Sequence, residues 1–176
     1  MTTRKSLKAA TDDLHRELDE RLSRLDLAQT GDYRRFLEFH AKTVPPFEEA
    51  LAAAGAGALI EGWSEGRRSA AIRTDLEALD EPMPTPSAVP PLRGTAEILG
   101  TAYVIEGSRL GGRVLEKRVG GGLPTSFLGK SEHNPWPAVV AALDRLLYSD
   151  DLIGEAETAA RRCFALFLNV AREAGI

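Results

Sequence analysis

The sequence predicts an all-α fold, and three observations predict it. Apolar residues recur at three- and four-residue intervals, the period of one face of a helix. Alanine, leucine, arginine and glutamate dominate, and all four favour helix. No segment alternates with the two-residue period of a half-buried strand, and no internal repeat is present. The chain has 176 residues, the size of one domain, which we expect to span residues 1–176. With 43% hydrophobic and 27% charged residues it can build a core.

Six or seven helices follow in order. The first runs from Ser6, a candidate N-cap, with Leu7, Leu14, Leu18, Leu22 and Leu25 on one stripe and Asp12 and Asp13 on the outer face. Gly31-Asp32 opens the second, with Phe36, Leu37, Phe39, Phe47 and Leu51 facing inward. Pro45-Pro46 lies inside it; a proline removes a backbone bond at about 3 kcal/mol or more, so a kink or break is expected there. Gly55 to Gly66 reads as loop, and Arg67 to Leu79 as a third helix around Ile72, Leu76 and Leu79. Pro82 to Pro91 carries five prolines and must be an extended connection. A long helix from about Leu92 to Val119 is stopped by Gly120-Gly121-Gly122. Leu123 to Pro137 is loop, and two closing helices span about Ala138–Tyr148 and Ile153–Ala174.

Composition narrows the function. A net charge of -4 offers no surplus of cations for phosphates, which argues against a nucleic-acid binder. Cys163 is the one cysteine, so neither an internal disulfide nor a cysteine-rich metal cluster can form. No apolar run approaches the roughly 18 residues of a membrane span, and the first residues lead into an amphipathic pattern without a signal-peptide core. We expect a soluble cytoplasmic protein.

The most informative stretch runs from Leu99 to Leu115. It holds Gly100, Gly107, Gly111 and Gly112 among good helix formers. Each glycine in a helix interior costs about 1 kcal/mol relative to alanine, so roughly 4 kcal/mol is given up, a large part of a ~5–15 kcal/mol stability. Gly100, Gly107 and Gly111 fall on one face, and the pair at 111–112 lets the helix bend. Two readings remain open for that bare face: close packing of a neighbouring helix, or a flat ligand laid against backbone.

Of the three histidines, His133 sits in a polar loop, and His40 follows Leu37 on the apolar face of the second helix, where a satisfied core histidine is the ordinary reading. His15 shares the first helix's inner stripe with Thr11, Leu18 and Leu22 and is expected to point inward. By spacing alone it is either a core histidine or a ligand.

The run Leu7-Lys8-Ala9-Ala10-Thr11-Asp12-Asp13-Leu14-His15, the segment Tyr103 to Gly112 and the closing Phe164-Ala165-Leu166-Phe167-Leu168-Asn169 resemble the heme oxygenases. The similarity is strongest to the compact, biliverdin-producing bacterial branch, which includes members that supply bacteriophytochromes with chromophore. It extends over nearly the whole chain in the same order. The resemblance implies a single-domain helical bundle with heme held between the first helix and a kinked, glycine-bearing distal helix. It makes His15 the proximal iron ligand, with Thr11 beside it. A neutral imidazole pushes less electron density onto iron than a thiolate, which spares the O–O bond from early cleavage. Gly107, Gly111 and Gly112 become the distal wall, which would steer O2 toward a meso carbon of the porphyrin. Heme b is then cofactor and substrate together, and the products are biliverdin, iron and carbon monoxide.

The resemblance also assigns propionate partners: Lys8, two turns before His15, with Arg113 and Lys117 beyond the glycines and Tyr103 as a hydroxyl donor. Phe164 and Phe167 would pack near the proximal side, although ordinary core packing explains them equally well. One position departs from much of the family. Where many members carry an aspartate after the first distal glycine, this chain has Ser108, so the proton route must use Ser108, backbone carbonyls and water. That departure keeps a non-catalytic heme-binding or transfer protein in view as the alternative. A different enzyme on the same architecture would want a nucleophilic cysteine or clustered carboxylates in the pocket, and Cys163, the one thiol, reads as a packed cysteine. The chain has neither a dinucleotide-binding glycine signature nor cysteines for an iron–sulfur cluster. Electrons must therefore come from a partner such as a ferredoxin or a reductase, docking beside Lys8 and Arg113.

Overall fold

The computed structural model describes residues 2–176, and every described element is helical. The helices are α1 (Thr3–Leu22), α2 (Thr30–Ala53), α3 (Ala56–Leu59), α4 (Ser69–Ala78), α5 (Gly94–Gly107), α6 (Gly112–Glu116), α7 (Trp136–Leu146) and α8 (Asp150–Glu173). Short 3-10 turns occupy Ser64–Gly66 and Ser108–Gly111. The all-α expectation holds, and so does the absence of regular structure from Glu81 to Arg93.

α8 is the spine. It packs along both α1 and α5, and α5 also leans on α7. α1 and α5 share no comparable contact with each other. Leu7 and Leu18 of α1, Phe36, Leu37, Phe39, Phe47 and Leu51 of α2, and Ile72 and Leu76 of α4 are buried, as their spacing requires. Phe167 of α8 stacks on Phe47 (5.9 Å between ring centroids) and meets Phe39 edge-on at 5.8 Å.

Several local expectations are corrected. α1 starts at Thr3, with Thr2 as its N-cap, and Ser6 instead donates to Glu157 Oε1 of α8 at 2.5 Å. α2 continues as helix through Pro45-Pro46, so no break occurs. Pro46 has no N–H for the carbonyl of Lys42, and the backbone N–H of Ser87, in the proline-rich connection, donates to that oxygen at 2.9 Å. The lost helical bond is replaced from outside the helix. The expected helix from Leu92 to Val119 is divided: α5 stops at Gly107, a 3-10 turn follows, and α6 resumes at Gly112. The glycines do change the path of the chain, as their pairing at 111–112 implied.

A buried carboxylate fixes the loop under that turn. Asp75 of α4 accepts from the backbone N–H groups of Ser126 and Phe127, both at 2.8 Å. Phe127 is thereby held against Phe36, His40 and the guanidinium of Arg68.

Candidate functional site

The amphipathic pattern of α1 puts Leu7 and Leu18 into the core, but it does not bury His15. The side chain is 58% exposed, against the expectation that it points inward. Its phase sets it at the border of the buried stripe, where the ring lies 5.6 Å from that of Phe164 on α8 at an interplanar angle of 60°. The charged group in reach is the Asp19 carboxylate one helical turn on, 3.5 Å from Nε2. The imidazole therefore leans on an aromatic floor with one side open.

The glycine segment does not form one bare ledge. A Cβ on Gly100 would stand 2.8 Å from the carbonyl carbon of Ala156 and 2.9 Å from its Cα, so Gly100 is the point where α5 and α8 touch backbone to backbone. Packing of a neighbouring helix is the right reading there. A Cβ on Gly107 would meet the Trp136 ring at 3.3 Å, and one on Gly112 the carbonyl oxygen of Leu128 at 3.3 Å. At Gly111 a Cβ would meet nothing within 4 Å. Of the stripe, Gly111 alone faces open space, flanked by the exposed apolar side chains of Leu110 and Val114.

Other expected site residues divide in the same way. Thr11 is buried and donates its hydroxyl to the Leu7 carbonyl at 2.8 Å, which leaves it no proton for a ligand. Phe167 is a core residue between Phe39 and Phe47; the ring beside His15 is that of Phe164. Tyr103 is half-buried on α5 against Trp136 (5.6 Å), and burial raises its phenol pKa while the charge of Arg4 on α1 opposes the rise. Lys8 is 75% exposed, with a 3.7 Å ion pair to Asp12. Arg113 and Lys117 are exposed, and no ion pair involves either among the described residues. Cys163 is buried with its thiol pKa pushed up by desolvation, which makes it the packed cysteine expected and unsuited to nucleophilic work.

Behind the 3-10 turn lies a buried polar group that the sequence reading did not anticipate. The hydroxyl of Ser108 donates to the Ile105 carbonyl (2.7 Å) and accepts from Arg68 Nη2 (2.8 Å). Arg68 precedes α4 and is 7% exposed. Its backbone N–H donates to the buried carboxylate of Glu48 on α2 at 2.7 Å. Burial lowers the guanidinium pKa to about 10, helped by Arg109 and opposed by Glu106 and Glu48, so the group is cationic at neutral pH. Arg109 pairs with the buried Glu106 and also donates to the Gly66 carbonyl. Glu106 Oε1 and Arg68 Nε are buried with no partner. His40 donates its Nδ1–H to the Phe36 carbonyl (2.8 Å) and is buried among Phe36, Phe39 and Phe127. It is the core histidine its position indicated. Tandem Arg67-Arg68 before a helix, with Glu48 in the preceding helix, was the one sequence signal for this cluster; a pairing across 20 residues has no periodicity to reveal it.

Taken singly, these side chains have the chemistry that a planar, carboxylate-bearing ligand needs: an open imidazole at His15, exposed apolar side chains beside Gly111, and exposed cations at Lys8, Arg113 and Lys117. A porphyrin has these needs, and the residues fit it. No group of three or more histidine, cysteine or acidic residues that could hold a metal ion occurs among the described residues.

Comparison with known proteins gives the same direction. The chain is 31% identical over 142 residues to a heme oxygenase of Xanthomonas campestris pv. campestris (strain 8004), covering 77% of this chain and 86% of that protein. Its fold is similar to heme oxygenase from Neisseria meningitidis, solved bound to NO and to CO, with a TM-score of 0.85, 24% identity and coverage of 99% of this chain and 92% of the other. It is also similar to heme oxygenase from Leptospira interrogans, at a TM-score of 0.75 and 18% identity, over 98% of this chain and all of that one. No protein-family model matches the chain.

Proposed function

The chain belongs to the heme oxygenase family, and from that premise we propose that it converts heme b to biliverdin, iron and carbon monoxide, using O2 and electrons from a separate ferredoxin or reductase. Heme, when bound, supplies the redox-active iron and is itself the macrocycle that is opened. The observation that carries the reading is the open imidazole of His15 on α1, its ring resting on Phe164. A core histidine would be buried, as His40 is, and a stray surface histidine would lack the aromatic floor.

In this reading His15 Nε2 holds the iron, and the long contact to Asp19 yields to it. Gly111 keeps the opposite wall free of side chain, and Leu110 and Val114 offer apolar surface to the ring. Gly107 and Gly112 serve indirectly, admitting Trp136 and the 128 carbonyl so close to the turn that its path is fixed. Arg113, Lys117 and Lys8 neutralise the propionates, and Tyr103 adds a hydroxyl donor. In this reading the exposed hydroxyl of Ser108 orders water at the distal face. We take the chain to act as one domain and to work in the cytoplasm. No helix among the described residues is long and apolar enough to cross a membrane.

Anaerobic hemin titration tests the site: a histidine-ligated spectrum is expected, and His15→Ala should lose it, with added imidazole restoring part. Reductant and O2 should then turn the complex green, and chromatography should identify a biliverdin isomer. A Soret band that survives many equivalents of reductant and O2 would leave the protein a heme carrier and overturn the catalytic reading.

A further inference from the structure

Ser108 in this chain has a defined hydrogen-bond polarity, and its neighbours set it. A hydroxyl has one proton and two acceptor lone pairs. Ile105 O takes the proton and Arg68 Nη2 takes one lone pair, while Nη2 also donates to Ile105 O at 2.6 Å. The three atoms thus form a closed triangle. What remains for the exposed side of Ser108 is a single acceptor lone pair. An aspartate at this position would offer the same polarity, since an ionised carboxylate accepts and cannot donate.

We propose that Arg68 is a positioning residue for the oxygenase reaction: it locks the Ser108 hydroxyl as a fixed acceptor, so that a water in the heme slot is held with its free proton turned toward the bound ligand. The inference rests on the function proposed above. The geometry that carries it is the anchoring of Arg68 from several sides. Its backbone N–H is tied to Glu48, which is 0% exposed and also accepts from the Ser69 N–H at 3.1 Å and from the Ser69 hydroxyl. Its guanidinium carbon lies 5.2 Å from the centroid of the Phe127 ring. Phe127 is in turn held by Asp75. A side chain so confined cannot swing to follow Ser108, so Ser108 must follow it. A surface arginine, free to rotate, would leave the hydroxyl's proton as easily aimed at the ligand as away from it.

The test uses azide binding to the ferric heme complex of the full chain, a readout of the distal water that needs no turnover. Arg68→Met should weaken azide about tenfold, the equivalent of one lost hydrogen bond at ~1.4 kcal/mol. Ser108→Ala should weaken it similarly, and Arg68→Met added to Ser108→Ala should change it less than twofold. If Arg68 acted only through its charge, its removal would weaken azide equally in both backgrounds, and that result overturns the proposal; so does wild-type affinity in Arg68→Met. Should Arg68→Met not fold, a crystal structure of the wild-type protein decides: Ser108 Oγ bonded to both Arg68 and Ile105 O supports the inference, and a hydroxyl rotated away refutes it. Failure to bind hemin at all would refute the heme reading instead.

Discussion

Replacing Gly100 by alanine adds one methyl group to α5 at a point where α8 leaves it no room. The new Cβ would lie 2.8–2.9 Å from the carbonyl carbon and Cα of Ala156 and nearer still to its carbonyl oxygen, all inside the 3.4 Å at which ordinary contact begins. These are backbone atoms in mid-helix, so no rotamer change relieves the overlap and the two helices must part. Alanine's better helix propensity returns up to about 1 kcal/mol. Overpacking in a rigid core costs typically 1–3 kcal/mol and more where backbone has to shift. Because α5 and α8 form the most extensive helix pair in the fold, we take the upper end, for a net loss of about 2 kcal/mol or more. For a chain of this length that lowers Tm by roughly 4–8 °C. Gly111→Ala is the control: its Cβ meets nothing, its backbone (φ -82°, ψ -17°) suits alanine, and stability should hold or rise slightly. Heme affinity should respond in the opposite order, with Gly111→Ala weakening hemin binding in a protein that folds normally. Thermal unfolding followed by circular dichroism, with parallel hemin titrations, reads both. Equal Tm values for Gly100→Ala and wild type would refute the division of the glycines into one that packs and one that faces the ligand.

Two further outcomes follow from buried groups. His40 is pushed from 6.5 to about 3, chiefly by burial, with the Phe36 carbonyl opposing and Arg68 adding to the shift. Between those values the unfolded chain binds a proton that the folded one refuses, so stability is complete above about pH 6.5 and falls as the pH drops toward 3. His40→Gln should flatten the decline in urea midpoint between pH 7 and 5, a window above the range in which Asp13, Glu17 and Glu97, all lowered mainly by hydrogen bonds from arginines, begin to protonate; an unchanged slope would show that His40 is not the group responsible. Asp75→Ala should cost about 2–4 kcal/mol in chemical denaturation, because two buried N–H groups, of Ser126 and Phe127, lose their acceptor together. A loss under 1 kcal/mol would mean that the loop finds other partners.

The amphipathic helices were legible because helix and burial leave a period in the residues themselves: Leu7 and Leu18, or Phe36, Leu37 and Phe39, announce their face without knowing what lies opposite. His40 was likewise readable as core. His15 was placed on the right helix but with the wrong exposure, since a residue at the edge of a stripe is buried or open according to which neighbour ends where. Pro45-Pro46 predicted a break because the donor that satisfies the Lys42 carbonyl, from Ser87, lies 45 residues downstream.

By itself, then, the order of residues determined the helical class, the extended proline connection, the inertness of Cys163 and the presence of an unusual glycine segment together with a histidine on the first helix. Only the tertiary structure assigned each glycine its reason: backbone of α8 for Gly100, an indole for Gly107, a carbonyl for Gly112, open space for Gly111. It alone joined Arg68 to Ser108 across 40 residues and buried Glu48 and Glu106 beside them. Periodicity is a local property and survives in one dimension. Close approach and hydrogen bonding between distant segments depend on how whole helices cross, which no single segment encodes.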